Sequence, residues 1–124
     1  MIKATALIVD DERDIRELLS LALARMGLSS QAAGTLLEAK ALLGTQRFDV
    51  CLTDMRLPDG NGLELIEFVS QHHPSLPIAM ITDLRGPITV EMVVQEINRY
   101  ADSEFRYADK SDEAAIEGAV RDMR

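Results

Sequence analysis

Four groups of polar residues stand where apolar runs stop. Asp10-Asp11-Glu12 follows Ala4–Val9, and Asp54 follows Asp49–Thr53. Thr82 follows Ile78–Ile81, and Lys110 lies near the end of Phe105–Ala108, just past Asp109. Carboxylates a few ångströms apart repel, and one takes up a proton unless a cation sits between them. Carboxylate, carbonyl and water oxygens suit a hard divalent ion, and Mg²⁺ commonly uses one or two carboxylates plus a phosphate. Beside such an ion Asp54 stays ionised and is able to act as a nucleophile toward phosphorus. A phosphoryl group in transfer needs positive charge on its equatorial oxygens. Mg²⁺ and Lys110 are the expected sources, with Thr82 as a hydroxyl donor. A gain of nearly two negative charges on Asp54 would then change the pairing of Lys110 and Thr82, and shift a nearby element between two states.

These residues need elements to carry them to one place. The runs Ala4–Val9, Asp49–Thr53 and Ile78–Ile81 have strand length and stay apolar throughout, as strands buried on both faces do. Leu28–Ala33 and Phe105–Ala108 read as two further strands. Between them lie helical patterns. Ile15, Leu18, Leu19, Ala22 and Met26 recur at the spacing of one buried helix face, with Asp14 and Glu17 as a capping box and Gly27 as the stop. Thr35-Leu36-Leu37-Glu38 has the same box form and opens a helix to about Gly44. Leu57–Gly62 reads as a tight loop, and Leu63, Ile66 and Val69 as the inner face of a third helix ended by Pro74. A fourth is expected over 88–101. The fifth is capped by Ser111 or Asp112, with Ile116, Ala119, Val120 and Met123 inside. Strand–helix alternation with short loops specifies an α/β fold, (βα)₅, with helices on both faces of a parallel five-stranded sheet. In such open sheets, ligands bind beyond the carboxyl ends of the strands. Asp10, Asp11, Asp54, Thr82 and Lys110 all fall there.

Composition narrows the functional classes. The chain has 124 residues with 13 Lys+Arg against 21 Asp+Glu, a formal charge of −8. That length suits one domain over residues 1–124. The excess acid argues against a nucleic-acid face and against binding to an anionic membrane surface. No apolar run approaches membrane-span length, and no signal peptide is visible. The lone Cys51 excludes an internal disulfide framework and points to a reducing interior, the cytoplasm.

The motifs together resemble the receiver domains of bacterial two-component response regulators. The matching text is Ala6-Leu7-Ile8-Val9-Asp10-Asp11-Glu12, then Asp49 to Leu63 (DVCLTDMRLPDGNGL), then Pro77 to Thr82 (PIAMIT). Residues 5–82 look nearest to receivers of sigma-54-dependent activators, particularly those governing type IV pili. The resemblance implies a flavodoxin-like, doubly wound sheet and a phosphoacceptor switch rather than a turnover enzyme. It implies Asp54 as the acceptor and Mg²⁺ held by Asp10, Asp11, Asp54 and the backbone carbonyl of Arg56. It further implies Thr82 as the switch hydroxyl, Lys110 as the lysine that pairs with the phosphoryl group, and Tyr107 as the switch aromatic. The implied donor is a phosphohistidine on a sensor histidine kinase. The implied output surface, and homodimer surface, is built from the fourth helix, the fifth strand and the fifth helix.

Two positions depart from the family pattern. Asp83 stands where a small residue is usual, and Ser111 where Pro is usual. Residues 84–109 otherwise carry little of the family text. These departures motivate an alternative, a divergent or engineered receiver-fold interaction module with impaired phosphorylation. An aspartyl-phosphate phosphatase is disfavoured by Asp10-Asp11-Glu12-Arg13, which is not an Asp-x-Asp-x-Thr/Val signature. Plainer readings stand beside each assignment. Asp10, Asp11 and Asp54 also suit turns, Thr82 a strand, Lys110 and Arg56 solvent, and Tyr107 the core. Cys51 reads as a small buried hydrophobe, and His72 and His73 as surface residues without ligand partners.

Overall fold

A computed structural model of the chain describes residues 4–82, 106–109 and 112–123. Seven strands and four helices lie within them: β1 (Thr5–Val9), α1 (Arg13–Arg25), β2 (Ser29–Ala33), α2 (Leu36–Thr45), β3 (Val50–Thr53), β4 (Arg56–Leu57), β5 (Gly60–Asn61), α3 (Gly62–His72), β6 (Ile78–Thr82), β7 (Arg106–Asp109) and α4 (Glu113–Met123). The helix expected over 88–101 lies outside the described residues, as do Asp83, Phe105, Lys110 and Ser111.

Five strands form one parallel sheet in the order β2-β1-β3-β6-β7. The chain runs outward from β1 to β2, then returns past β1 to β3. That reversal is the switch point of a doubly wound sheet, and the crevice above it is the usual ligand site. Alternation along the strands sends successive side chains to opposite faces. Leu7, Val9, Cys51, Ile78 and Met80 pack with Leu36, Ala39 and Leu43 of α2 and Leu65, Ile66 and Val69 of α3. Ala6, Ile8, Val50, Leu52, Ala79 and Ile81 pack with Leu19 and Leu23 of α1 and Ile116, Val120 and Met123 of α4. Both faces are covered, so β1, β3 and β6 are buried at nearly every position, as their unbroken apolar text requires.

The helix boundaries show where local signals decide and where they do not. Thr35 caps α2 as expected, its hydroxyl accepting from Glu38 N at 3.1 Å. Glu38 returns its carboxylate to Gly34 N at 3.1 Å, one residue before the cap. Asp112 rather than Ser111 caps α4, with Oδ1 accepting from Ala115 N at 3.0 Å. Gly27, at φ 85°, stops α1. The other end of α1 differs from expectation. The helix starts at Arg13 with Glu12 as N-cap, so Asp14 sits in the first turn and makes no capping box. Glu17 instead reaches Arg13 Nε at 3.2 Å. Leu18 is 40% exposed and Leu23 is buried, although the sequence pattern selects Leu18 and not Leu23. The loop Leu57–Gly62 also has more structure than expected: β4 and β5 pair antiparallel, Arg56 with Asn61 and Leu57 with Gly60.

Candidate functional site

The register builds the site. Val9 of β1 lies opposite Thr53 of β3, so Asp10 and Asp54 stand side by side one residue beyond, on strands roughly 4.8 Å apart. The ladder continues past the strand ends. Asp54 N donates to Val9 O at 2.8 Å, and Asp10 N donates to Ala33 O at 3.0 Å. The backbone thus holds both acids in place independently of their side chains.

Burial distinguishes these acids from the rest. Among the described residues, the buried polar or charged ones are Asp10, Thr53 and Asp54. Burying a carboxylate is costly unless it is hydrogen-bonded or meets a cation, so two neighbouring buried carboxylates need a reason. Part of it is local. Asp10 Oδ1 accepts from Glu12 N at 2.9 Å, and Asp54 Oδ1 accepts from Met55 N at 2.8 Å. Thr53 Oγ1 donates to the Asp54 carbonyl at 3.0 Å. Arg16 Nη1 donates to the Asp10 carbonyl at 2.8 Å, which brings a guanidinium from α1 to the loop.

Carboxylate oxygens of Asp10, Asp11 and Glu12 lie within 4.8 Å of one another. An all-oxygen set of this charge suits a hard divalent cation. Asp11 and Glu12 are exposed and Asp10 is buried, so the cluster opens to solvent on one side. Glu12 was not among the ligands expected from the sequence. As the N-cap residue of α1 it follows Asp11 directly, and the carboxylates of three consecutive acids come together. Asp54 lies outside this cluster and beside it, across the β1–β3 seam.

The remaining expected residues are placed as follows. Arg56 opens β4 with its side chain exposed, two residues past Asp54. Thr82 ends β6, in register with Asp109 of β7, and Tyr107 lies opposite Met80. Thr82 therefore stands at the same carboxyl edge as Asp54, one strand further along the sheet. Lys110 lies outside the described residues. Cys51 is fully buried in β3, and desolvation pushes its thiol up to about 12, which makes it an inert core residue. His72 packs on Phe68 with ring centroids 4.5 Å apart, and Lys40 Nζ sits 5.2 Å from the Phe68 centroid. The histidines belong to a surface aromatic cluster.

One polar residue near the site had no sequence signal. Asp59, at the turn of the β4–β5 hairpin, accepts from Leu36 N at 2.7 Å and Leu37 N at 2.9 Å. These are the first two amides of α2. Their hydrogen bonds, with Lys40 nearby, hold the Asp59 carboxyl below its ordinary value. Nothing in the local text marks a cap that acts across more than twenty residues.

No described helix is long and apolar enough to cross a membrane. The chain and its architecture are similar to known proteins. Residues 6–103 match the response regulator receiver domain family. The chain is 56% identical over 82 residues to the response regulator protein PilR of Pseudomonas aeruginosa, covering 66% of this chain and 18% of that protein. It is 39% identical over 82 residues to the DNA-binding transcriptional regulator NtrC of Klebsiella pneumoniae, again covering 66% of this chain and 18% of that protein. The chain therefore spans under a fifth of the length of these relatives. Among solved structures it is similar to the chemotaxis response regulator CheY4 of Vibrio cholerae, with a TM-score of 0.83 and 25% identity, covering 99% of this chain and 100% of that one. The chain belongs to the response regulator receiver domain family, phosphoacceptor modules whose chemistry is their own phosphorylation and dephosphorylation rather than enzymatic turnover.

Proposed function

We propose that Asp54 is the phosphoacceptor, and that Asp10 and Asp11, with Asp54 and the Arg56 carbonyl, hold Mg²⁺. The observation that carries this reading is the pair of buried carboxylates, Asp10 and Asp54, set side by side at the switch point of the sheet. When bound, Mg²⁺ supplies positive charge between the carboxylates and on the phosphoryl oxygens. An Asp54 carboxylate oxygen attacks phosphorus, the new P–O bond forms, and the bond to the donor breaks. With a phosphohistidine donor, the phosphorus–nitrogen bond breaks and the imidazole leaves with its electron pair and takes a proton. Met55 N donates to Asp54 Oδ1 at 2.8 Å and so orients the attacking carboxylate. Thr82 and Lys110 then pair with the phosphoryl oxygens, and Tyr107 follows Thr82.

The donor in this reading is a sensor histidine kinase. Residues 1–124 act as one receiver domain, and the output surface is formed by residues 88–101, β7 and α4, which also offers a homodimer contact. Regulation of pilus-type transcription is the output suggested by the similarity to PilR. The test is labelling by acetyl phosphate, or binding of beryllofluoride, in the presence of Mg²⁺. Both are expected in the natural chain and absent in Asp54→Asn. Labelling that survives this substitution sinks the assignment. A folded chain that shows no Mg²⁺-plus-beryllofluoride response favours the interaction module motivated by Asp83 and Ser111.

A further inference from the structure

We propose that Asp59 is a positioning residue for phosphoryl acceptance, clamping the β4–β5 hairpin to the start of α2 so that the backbone after Asp54 is held in one arrangement. The inference rests on the phosphoacceptor reading of Asp54.

The contact is two-pronged. Oδ1 accepts from Leu36 N at 2.7 Å and Oδ2 from Leu37 N at 2.9 Å, so each carboxylate oxygen takes one amide. A helix start leaves its first amides without partners, and α2 already has a local cap, since Thr35 takes the third amide, Glu38 N. Asp59 takes the first two from a different part of the chain. Its contribution is therefore long-range: it ties α2 to the loop that follows Asp54.

That loop fits closely where it meets α2. A Cβ at Gly60 would lie 2.8 Å from Leu36 Cδ2 and 2.9 Å from Glu64 Oε2, so the backbone itself rests on α2. Leu57 is buried in the same core face as α2 and α3. The hairpin is thus pinned from below by Leu57 and at its tip by Asp59. From the hairpin the constraint runs straight to the acceptor. Gly62 N donates to Met55 O at 2.8 Å, and Met55 N donates to Asp54 Oδ1 at 2.8 Å. The Arg56 carbonyl, the proposed backbone ligand, lies between these two ends. A loosened tip frees Met55 and Arg56 together, and with them the orientation of the Asp54 carboxylate. The charged groups around the clamp are Lys40, which favours the ionised carboxylate, and Glu38 and Glu64, which belong to the two flanking helices.

The test uses the whole chain with Asp59→Ala and Asp59→Asn, reading Mg²⁺ affinity and the rate of labelling by acetyl phosphate. Removing a group that orients ligands typically costs 10–100-fold in metal affinity, and a clamp acting through the backbone is set at about tenfold. Asp59→Ala is expected to weaken Mg²⁺ binding by about tenfold and slow labelling comparably. Asp59→Asn, which still accepts from one amide, is expected to recover most of both. A purely structural role lowers the unfolding midpoint and leaves Mg²⁺ affinity of the folded protein unchanged. Natural Mg²⁺ affinity and labelling rate in folded Asp59→Ala would therefore overturn the proposal while leaving Asp54 as acceptor. Should the alanine variant fail to fold, Asp59→Ser decides, because its shorter side chain cannot take both amides and natural Mg²⁺ affinity and labelling in that folded variant also overturn the proposal. No Mg²⁺ binding and no labelling in the natural chain overturns the phosphoacceptor reading itself, and this inference with it.

Discussion

Two loops meet above the switch point, and they use their acids in opposite ways. The loop after β1 places Asp10, Asp11 and Glu12 with their carboxylates together, and it leaves α1 with no side-chain cap. The other three described helices are capped by side chains, from Thr35, Asn61 and Asp112. The loop after β3 offers Asp54 and the Arg56 carbonyl to the proposed site and uses two further polar residues as anchors. Asp59 holds α2 and Asn61 caps α3. Capping residues are worth about 1 kcal/mol each, so the first loop forgoes a readily available stabilisation. That is the pattern expected when acids are held for a ligand. The second loop, which in the proposed function keeps Asp54 and the Arg56 carbonyl in register, takes the stabilisation. In the proposed function one loop serves as a ligand set and the other as a frame.

The frame has its tightest point at Gly62. A Cβ there falls on the Asp54 backbone carbonyl, and the atoms it meets are backbone rather than a flexible side-chain end. Gly62→Ala is expected to destabilise the chain by about 3 kcal/mol, the upper range for overpacking, read as a lower urea midpoint with an unchanged slope. A cost below about 0.5 kcal/mol would mean the second loop is pliable, and the contrast between the loops would fail.

How much of this was legible in the sequence follows from the same contrast. The first loop is read directly, because three consecutive acids at the end of an apolar strand need no long-range information. Strands β1, β3 and β6 are legible for a related reason, since burial on both faces leaves an unbroken apolar run. The frame is harder to read. Strands β4 and β5 have two residues each, too few for any periodicity. The partners of Asp59 lie 22 and 23 residues away, and only the folded chain brings them together. Glu12 and Leu23 carry no decisive local mark: the text offers a capping box at Asp14 whereas the helix begins at Arg13, and only packing decides which of Leu18 and Leu23 is buried.

On the ligand side, Asp10→Asn keeps the shape and the acceptor for Glu12 N while removing the charge. Mg²⁺ affinity is expected to fall by about tenfold or more, measured by titration, with folding intact. Glu12→Gln, at the exposed side of the cluster, is expected to have a smaller effect. An equal effect would make Glu12 a ligand of the same rank and enlarge the set beyond the one inferred from the sequence.

On the frame side, Asn61→Ala removes the acceptor for Glu64 N, a bond of 2.9 Å. The expected loss is about 1 kcal/mol in urea unfolding. Acid tests the frame in a second way. The Asp59 carboxyl is held below its ordinary value by the Leu36 and Leu37 amides, so its clamp is fully present above the unfolded carboxyl value. It is lost as pH falls through the lowered folded value. The Leu36 and Leu37 amide resonances are expected to move together in that acidic window and to stay flat near neutrality. Movement of both near pH 7 would show that another group controls this contact.

The smallest effect is expected at Glu17, and it bears on why α1 lacks a cap. Glu17 pairs with Arg13 at 3.2 Å across one turn, with both side chains largely exposed. Exposed pairs at this spacing contribute about 0.3–0.5 kcal/mol, because solvent screens them and ordering two long side chains offsets the attraction. Glu17→Gln is therefore expected to shift unfolding by no more than this and to leave Mg²⁺ affinity unchanged. The start of α1 then rests on its backbone, including Arg16 N donating to Glu12 O at 3.1 Å, and on the burial of Leu19, Ala22 and Leu23. A loss above about 1 kcal/mol would show that the Arg13–Glu17 pair substitutes for the missing cap. The first loop would then carry an anchor of its own, and the division between a ligand set and a frame would narrow to the second loop alone.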